Sequence, residues 1–394
     1  MDFSFTPEQE AFRQEIRDFI AQEIPADFEA GVGGHVESDE DWAFARQLTK
    51  KLSAKGWLNI AWPKEYGGKD EHMLSVIINE EMNYRGAPGL DFGGIGMLAP
   101  ALMAHGNEEQ KKEHLGRIAA GEVVWCQGWS EPGAGSDLPA MTTRAMEDGD
   151  DYVINGQKVW TSLAHHADWC FLLAKTDPDV EPKHRGITFF LVDFKTPGIT
   201  VNPLITMANE HCFSEVFYDN VRVPKKNIVG KVNGGWKVAM VAAGFERSGI
   251  YRIARALGNV DKLIAFAKQP LPGGYIIGKD PYVRQKLVSL YIEGRIARIL
   301  AYRVAWLQTL GEQPEWEASI ARIHGSEFQQ HVGEVGAEIM GLYGTLFKES
   351  KWGNKDYSIA QESLLGIGAT IAAGTSEVQR NAIAMRGFGL PKAY

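Results

Sequence analysis

Cysteine is scarce in this chain: Cys126, Cys170 and Cys212 are the only three in 394 residues, far apart and each in apolar surroundings. An odd, scattered set builds no disulfide framework, so buried reduced thiols are expected. No apolar run is long enough to cross a bilayer, so no membrane span is expected. The opening Met-Asp-Phe-Ser-Phe-Thr-Pro-Glu-Gln-Glu lacks the basic and apolar segments of a secretory signal, and the expected location is cytoplasmic. A basic excess is missing too. The net charge is −9, with no block of one sign, which argues against a nucleic-acid partner because phosphate binding needs a basic face. No metal is expected either. His165 and His166 form the best ligand pair, but neighbouring histidines do not easily face one ion, and nearby Cys170 opens an apolar run. Both histidines read as surface or interface residues.

What is present is an ordinary globular balance, 44% hydrophobic and 23% charged, in a chain long enough for two or three domains. Residues 1–120 carry helical spacing. Thr6-Pro7-Glu8 reads as an N-cap with proline in the first turn, followed by Phe12, Ile16, Phe19 and Ile20 on one face. Pro63 to Gly68 breaks the pattern, and Met73 to Tyr84 resumes it. The acidic run Glu37 to Asp41 reads as a solvated loop leading into a helix at Trp42. Residues 121–235 switch to short β-rich runs such as Trp169 to Ala174 and Ile187 to Val192, and Asn155-Gly156 reads as a hairpin turn. Residues 236–394 return to long helices, interrupted by a loop at Pro270 to Gly274. The fold class expected is α+β: an N-terminal helical domain, a central β-barrel-like domain and a C-terminal four-helix bundle.

Two segments carry chemistry. Trp125-Cys-Gln-Gly-Trp-Ser-Glu-Pro-Gly-Ala-Gly-Ser-Asp137 sets turn residues between an aromatic run and short polar side chains. Asn155-Gly-Gln-Lys-Val-Trp-Thr-Ser162 follows it. Backbone N–H groups, hydroxyls and the flat faces of Trp129 and Trp160 would suit a large planar cofactor carrying phosphates. Aromatic residues are also ordinary core, and taken alone these two tryptophans favour that use. Glu246 stands out differently. Helical steps of three and four place it with Ala239, Ala242, Ala243, Gly249, Ile250, Ile253 and Leu257, one carboxylate on a small, apolar face. Burial there would raise its pKa toward the range of a general base, although an ion pair with Arg247 or Arg252 is the competing use. Gly94-Ile-Gly96-Met-Leu-Ala99 spells a dinucleotide fingerprint but follows no strand, so it reads as a small-residue helix face.

Both segments match, in order and spacing, the flavin-binding signatures of the acyl-CoA dehydrogenase family, and the resemblance runs almost end to end. The runs around Trp125 and Thr161 and the Glu246-Arg247-Ser sequence are similar to the pimeloyl-CoA dehydrogenase large-subunit and sterol side-chain members. The resemblance implies FAD as cofactor, an acyl-CoA substrate desaturated to the trans-2-enoyl-CoA, and an electron-transferring flavoprotein as acceptor. It places Gln127, Trp129, Ser130, Trp160 and Ser162 at the flavin, Ser136 and Arg247 at the acyl-CoA, and Gln285, Gly374, Thr375 and Glu377 at the remaining parts of FAD. The commoner family position for the base, before Gly374-Thr375, holds Ala373 here. The alternative position, directly before an arginine, holds Glu246, which the resemblance therefore makes the base, with Arg247 beside it. Other departures are the lack of an arginine in Gly274-Tyr-Ile-Ile-Gly278, the Glu338-Ile-Met-Gly-Leu-Tyr-Gly344 sequence, and Glu377 in place of the usual glutamine. These fit a partner subunit in an α2β2 heterotetramer as the alternative to a self-sufficient homotetramer.

Overall fold

The computed structural model describes residues 4–30, 35–36, 38–244, 248–271, 273–312, 314–353 and 358–391. Thr6 starts helix α1 (Pro7–Glu23): its side chain accepts from Gln9 N, and the Gln9 side chain returns the bond to the Thr6 backbone. The buried stripe of α1 carries Ile16, Phe19 and Ile20, but also Arg13. Helix α2 (Asp39–Ala54) is capped by Ser38, so Asp39, Glu40 and Asp41 form its first turn rather than a loop, where acids favour the helix dipole. Helix α3 (His72–Arg85), a π-helical turn at Phe92–Leu98, α4 (Ala99–His105) and α5 (Glu108–Ala119) complete the first region. The glycines at 94 and 96 sit in that π-helical turn, as a helix face rather than a dinucleotide loop.

The β-rich region forms one sheet of β1 (Trp125–Gly128), β2 (Arg144–Asp148), β3 (Asp151–Ser162), β4 (Trp169–Lys175), β5 (Ile187–Asp193), β6 (Ile199–Leu204), β7 (Phe213–Pro224) and β8 (Ile228–Val229). The order is β6-β7-β3-β2-β4-β5-β8, with β1 parallel to β4. The sheet is open, not barrel-like. Its end strands β6 and β8 do not pair, and β2 meets β4 only through Arg144 and Lys175. Strand β5 is buried from Ile187 to Val192, as a continuous apolar run suggests. The hairpin expected at Asn155-Gly156 is corrected as well. β3 runs straight through that dipeptide, with a register shift against β7 between Ile154 and Gly156. A Cβ at Gly156 would lie 2.4 Å from Thr143 Oγ1, so glycine there permits a close approach, not a turn.

Helix α6 (Gly235–Gly244) packs on β5, and a Cβ on Gly235 would meet Phe189 N at 2.4 Å. Helices α7 (Ile250–Lys268), α8 (Pro281–Thr309), α9 (Trp316–Met340) and α10 (Ile359–Ala369) form the bundle, and α11 (Ser376–Ala382) packs on α9. Leu263, Leu290, Phe328 and Val332 sit in its core. Of the helical stripe expected through Glu246, residues 245–247 lie outside the described residues, and Gly249 adopts φ +63° before α7 begins, so the stripe does not run on into α7 as one helix.

A buried ionic network joins the first region to the bundle. Glu80 on α3 accepts from Arg13 Nη1 at 2.7 Å and Tyr302 Oη at 2.6 Å, and also pairs with Arg298. Glu81 receives Arg13 at 2.5 Å and Arg17 Nε at 2.8 Å. Burial would raise the Glu80 carboxyl, but Arg298 and Arg13 outweigh it and hold the group below its ordinary range. Replacing Glu80 by leucine leaves half-buried Arg298 without a carboxylate, while Arg13 keeps Glu81, and should cost about 3–5 kcal/mol in urea denaturation. A loss below about 1 kcal/mol would show that water replaces the carboxylate at no great cost.

Candidate functional site

At the end of β1 the chain turns through Trp129, Ser130 and Glu131. Glu131 and Ala134 exchange backbone hydrogen bonds of 3.0 and 3.1 Å, so Pro132 and Gly133 close a tight turn. The Glu131 carboxylate is buried and accepts four bonds: Thr142 N at 2.6 Å, Thr142 Oγ1 at 2.8 Å, Thr143 N at 2.9 Å and Lys158 Nζ at 2.8 Å. Lys158 is fully buried on β3 and donates a second bond, 3.0 Å, to Trp129 O. Val159 N donates to Ser130 O at 2.9 Å. The turn is thereby fastened to β3 by an ion pair and two backbone contacts. Burial would raise the Glu131 carboxyl, but Lys158 and the threonine donors hold it at about 2. Burial likewise pulls the Lys158 ammonium down, and Glu131 opposes that shift.

One step past this clamp, β3 slips register against β7 between Lys158 and Thr161. Within the bulge Trp160 takes φ +60°, a rare backbone state for a bulky residue. Its indole is turned outward, 55% exposed, with one edge against Phe213 at 5.7 Å. Strain kept at such a position is characteristic of ligand sites. Trp129 lies inside, edge-on to Phe171. Its Nε1, and the Oγ1 of Thr161 next to Trp160 along β3, are buried with no hydrogen-bond partner among the described residues.

The structure therefore gathers part of the expected set. Gln127 on β1, Trp129, Ser130, Trp160 and Ser162 share the two clamped segments, and exposed Ser136 follows in the same loop. The remainder lies on other elements. Gln285 is exposed in the second turn of α8. Thr375 caps α11, accepting from Val378 N at 3.2 Å, with Gly374 at φ +85° before it and exposed Glu377 after it. A local backbone N–H and Thr375 lower the Glu377 carboxyl. Ala373 adopts φ +54°, and Arg322 Nη2 anchors this loop by donating to Ala369 O at 2.9 Å and to Ala372 O. Glu338 is tied to α8, accepting from Tyr282 Oη at 2.5 Å and Lys286 Nζ at 3.1 Å. Glu246 and Arg247 lie outside the described residues. Ser248, which follows them, is buried and lines a cavity of about 120 Å³ between α3, the π-helical turn and α7, walled by Trp62, Phe92 and Tyr251.

Glu131 and Lys158 escaped sequence reasoning, because a strand lysine reads as solvent-facing even at a position in phase with buried Tyr152 and Ile154. The histidines differ from expectation: His166 stacks on Trp42 at 4.1 Å and His165 on His211 at 4.2 Å, both half-buried. Burial, with help from the neighbouring imidazoles, depresses His165 to about 3. Among the described residues no group of three or more His, Cys, Asp or Glu is placed to hold a metal ion, and no helix is long and apolar enough to cross a membrane. No disulfide forms among the described residues: Cys126 and Cys170 are buried in register on β1 and β4, and Cys212 is half-buried.

Removing Lys158 tests the clamp. Lys158→Met should cost about 3–5 kcal/mol, and the double variant with Glu131→Met should recover part of that loss. The Glu131 contribution is present above its ordinary value of 4.5 and should vanish as pH falls from there toward about 2, because its folded pKa is depressed. Denaturation series at fixed ionic strength read both effects. A Lys158→Met protein as stable as the parent would refute the clamp.

Three family profiles match the chain in succession: the acyl-CoA dehydrogenase N-terminal domain over residues 6–122, the middle domain over 126–221 and the C-terminal domain over 233–388. The acyl-CoA dehydrogenase FadE26 of Mycobacterium tuberculosis is 33% identical, with 100% of both chains covered. Among solved structures, the Tcur3481–Tcur3483 steroid ACAD superposes with a TM-score of 0.89 at 32% identity, and the ChsE4–ChsE5 complex from Mycobacterium tuberculosis with 0.86 at 33%, each covering 100% of both chains. With its three regions, its clamped turn and its whole length accounted for, the chain belongs to the acyl-CoA dehydrogenase family of flavin-dependent oxidoreductases.

Proposed function

We propose that the protein is an FAD-dependent acyl-CoA dehydrogenase that converts an acyl-CoA thioester to its trans-2-enoyl-CoA. The observation that carries this reading is the Trp160 bulge, an exposed indole held at positive φ next to the clamped turn. The residues present fit a flavin: a flat apolar face and the hydroxyls of Ser130 and Ser162 on adjoining segments. Gln127, Trp129, Ser130, Trp160 and Ser162 would hold the ring end, and Gln285, Gly374, Thr375 and Glu377 the remainder. Bound there, FAD supplies the acceptor, at N5, for the hydride that leaves the β-carbon. Glu246 takes the α-proton, and Arg247 and Ser136 position the thioester. The cavity whose wall includes Ser248 receives the acyl group. An electron-transferring flavoprotein is the proposed acceptor of the two electrons, and the proposed location is cytoplasmic.

A second reading concerns assembly. The two solved relatives named above are a paired-protein ACAD and a two-protein complex. In this chain Val288, Ile292, Ile296 and Ile299 form an exposed apolar stripe on α8, beside Gln285. Together with the altered Gly274–Gly278 and Glu338 segments, this favours a tetramer whose cofactor site is shared, either four copies or an α2β2 assembly with a related subunit.

An absorbance spectrum of the chain purified alone, repeated anaerobically with acyl-CoA thioesters that include ring-bearing ones, separates the readings. A flavin band bleached by one thioester class supports the self-sufficient enzyme, and a colourless chain that turns yellow only beside a second subunit supports the heteromer. Glu246→Gln should keep thioester binding while lowering the reduction rate by at least about a hundredfold. An unchanged rate would remove Glu246 from the role of base. Trp160→Gly should leave stability unchanged or raise it by about 1 kcal/mol, since glycine relieves the positive φ, while flavin affinity falls. Retained flavin in that variant would count against Trp160 as its cover.

A further inference from the structure

Four histidines from three separate segments meet where the first region packs on the sheet. His35 lies before α2, His165 and His166 stand in the short helical turn after β3, and His211 lies between β6 and β7. Their rings form a column. Trp42 of α2 stacks on His166 at 4.1 Å, His166 meets His165 at 4.1 Å, and His165 stacks on His211 at 4.2 Å. His35 stands edge-on to His165 at 6.4 Å. It is only 7% exposed, and neither of its ring nitrogens has a partner among the described residues; His165 Nδ1 is likewise buried and unpartnered. A neutral imidazole carries one donor and one acceptor, so His35 leaves one of each unmet, and a further proton would make two donors with nothing to receive them. The groups that act on His35 and His165 are the other imidazoles, each opposing a proton. Asp39 on α2 favours a proton, but on His166. Asp168 accepts from Val124 N at 2.9 Å, Glu210 acts on Arg255, and Ser214 Oγ lies 3.5 Å from His211 Nε2. The column also backs the strained bulge. Leu163 N donates to Cys212 O at 3.2 Å, joining the turn to the loop, and the next residue, Phe213, is the edge partner of Trp160.

We propose that the four imidazoles form a proton-sensitive latch: neutral, they hold the start of α2, the turn at residues 164–166 and the loop carrying His211 together, and protonation parts them. The opening loosens Phe213, and with it the support of the Trp160 indole. The latch goes beyond the dehydrogenase reading and does not depend on what binds at Trp160. Burial, helped by the neighbouring rings, holds His35 at about 4 and His165 at about 3, against an ordinary 6.5. Burial lowers His166 as well, with Asp39 opposing. In the parted state each ring returns to its ordinary value. Because the closed state binds fewer protons, its advantage is complete above about 6.5 and is lost as pH falls from there toward about 4. Between about pH 7 and about pH 5.5, one such histidine favours opening roughly tenfold and two roughly a hundredfold. A second proton on the stack would set like charges side by side, since the His165 and His211 rings are 4.2 Å apart.

Hydrogen exchange of the full chain, read peptide by peptide and corrected for the intrinsic pH dependence of amide exchange, tests the latch. Peptides covering 160–167 and 206–214 should lose protection by on the order of ten- to a hundredfold between about pH 7 and about pH 5.5, while β5 and α9 stay protected. His165→Phe keeps a ring in the stack, and His35→Leu removes the two unpaired nitrogens, so the double variant should lose most of that pH dependence. Equal protection at both pH values overturns the latch. So does a loss spread evenly over β5 and α9, which is acid unfolding of the whole molecule. A loss that persists at full size in the double variant also overturns it, because other groups would then take the proton. Histidine-ring NMR of the unaltered chain gives a check that needs no variant to fold. Rings of His35 and His165 that protonate near their ordinary value while both segments stay protected overturn the proposal, and rings that stay neutral for as long as the segments are protected support it.

Discussion

The bond between Lys158 and Glu131 is the constraint from which the site follows. A fully buried ammonium is tolerable only beside a carboxylate, and Glu131 is satisfied only because two threonines and the lysine converge on it. The pair has a geometric consequence. It holds the turn after β1 against the middle of β3, so Trp129 is locked inside the sheet and the next residues of β3 must accommodate the turn. The accommodation is a bulge, and the bulge puts Trp160 at positive φ with its ring outward. An exposed tryptophan in a strained backbone state would not persist without such over-determination. Binding capacity at Trp160 and rigidity at Lys158 are two results of one buried charge.

The second long-range constraint is the Glu80 network. Arg13 from α1, Arg298 and Tyr302 from α8 and Glu80 from α3 meet in one buried cluster. The cavity between α3 and α7 lies beside this joint, so the space it offers is set by elements separated by most of the chain.

Much of this was legible before any coordinates. Thr6 and Pro7 announced α1, the apolar run at Ile187 announced a buried strand, and the change of period near residue 121 announced the sheet. These signals are local: a cap, an unbroken β-branched and aromatic run, a spacing. What failed was non-local. Asn155-Gly156 has the composition of a hairpin turn, but the close approach of Thr143 uses the glycine for space and lets the strand continue. The stripe through Glu246 assumed an unbroken helix, and Gly249 at φ +63° breaks it. Lys158 shares the parity of buried Tyr152 and Ile154, but a lysine reads as solvent-facing until its partner Glu131, from a separate segment, is seen to meet it.

The departures from the family pattern acquire a physical sense in the same terms. Glu338 is held by Tyr282 and Lys286, an α8–α9 tie that gives the carboxylate a structural occupation. Ala373 adopts the left-handed backbone state that a glycine would take more easily, and Arg322 fixes the carbonyls just before it. The loop therefore keeps its shape without an acid at that position, so the turn there does not depend on a catalytic carboxylate. A base proposed at Glu246 instead would leave the C-terminal loop to hold backbone geometry alone, with Thr375 capping α11 and Arg322 anchoring the carbonyls before it.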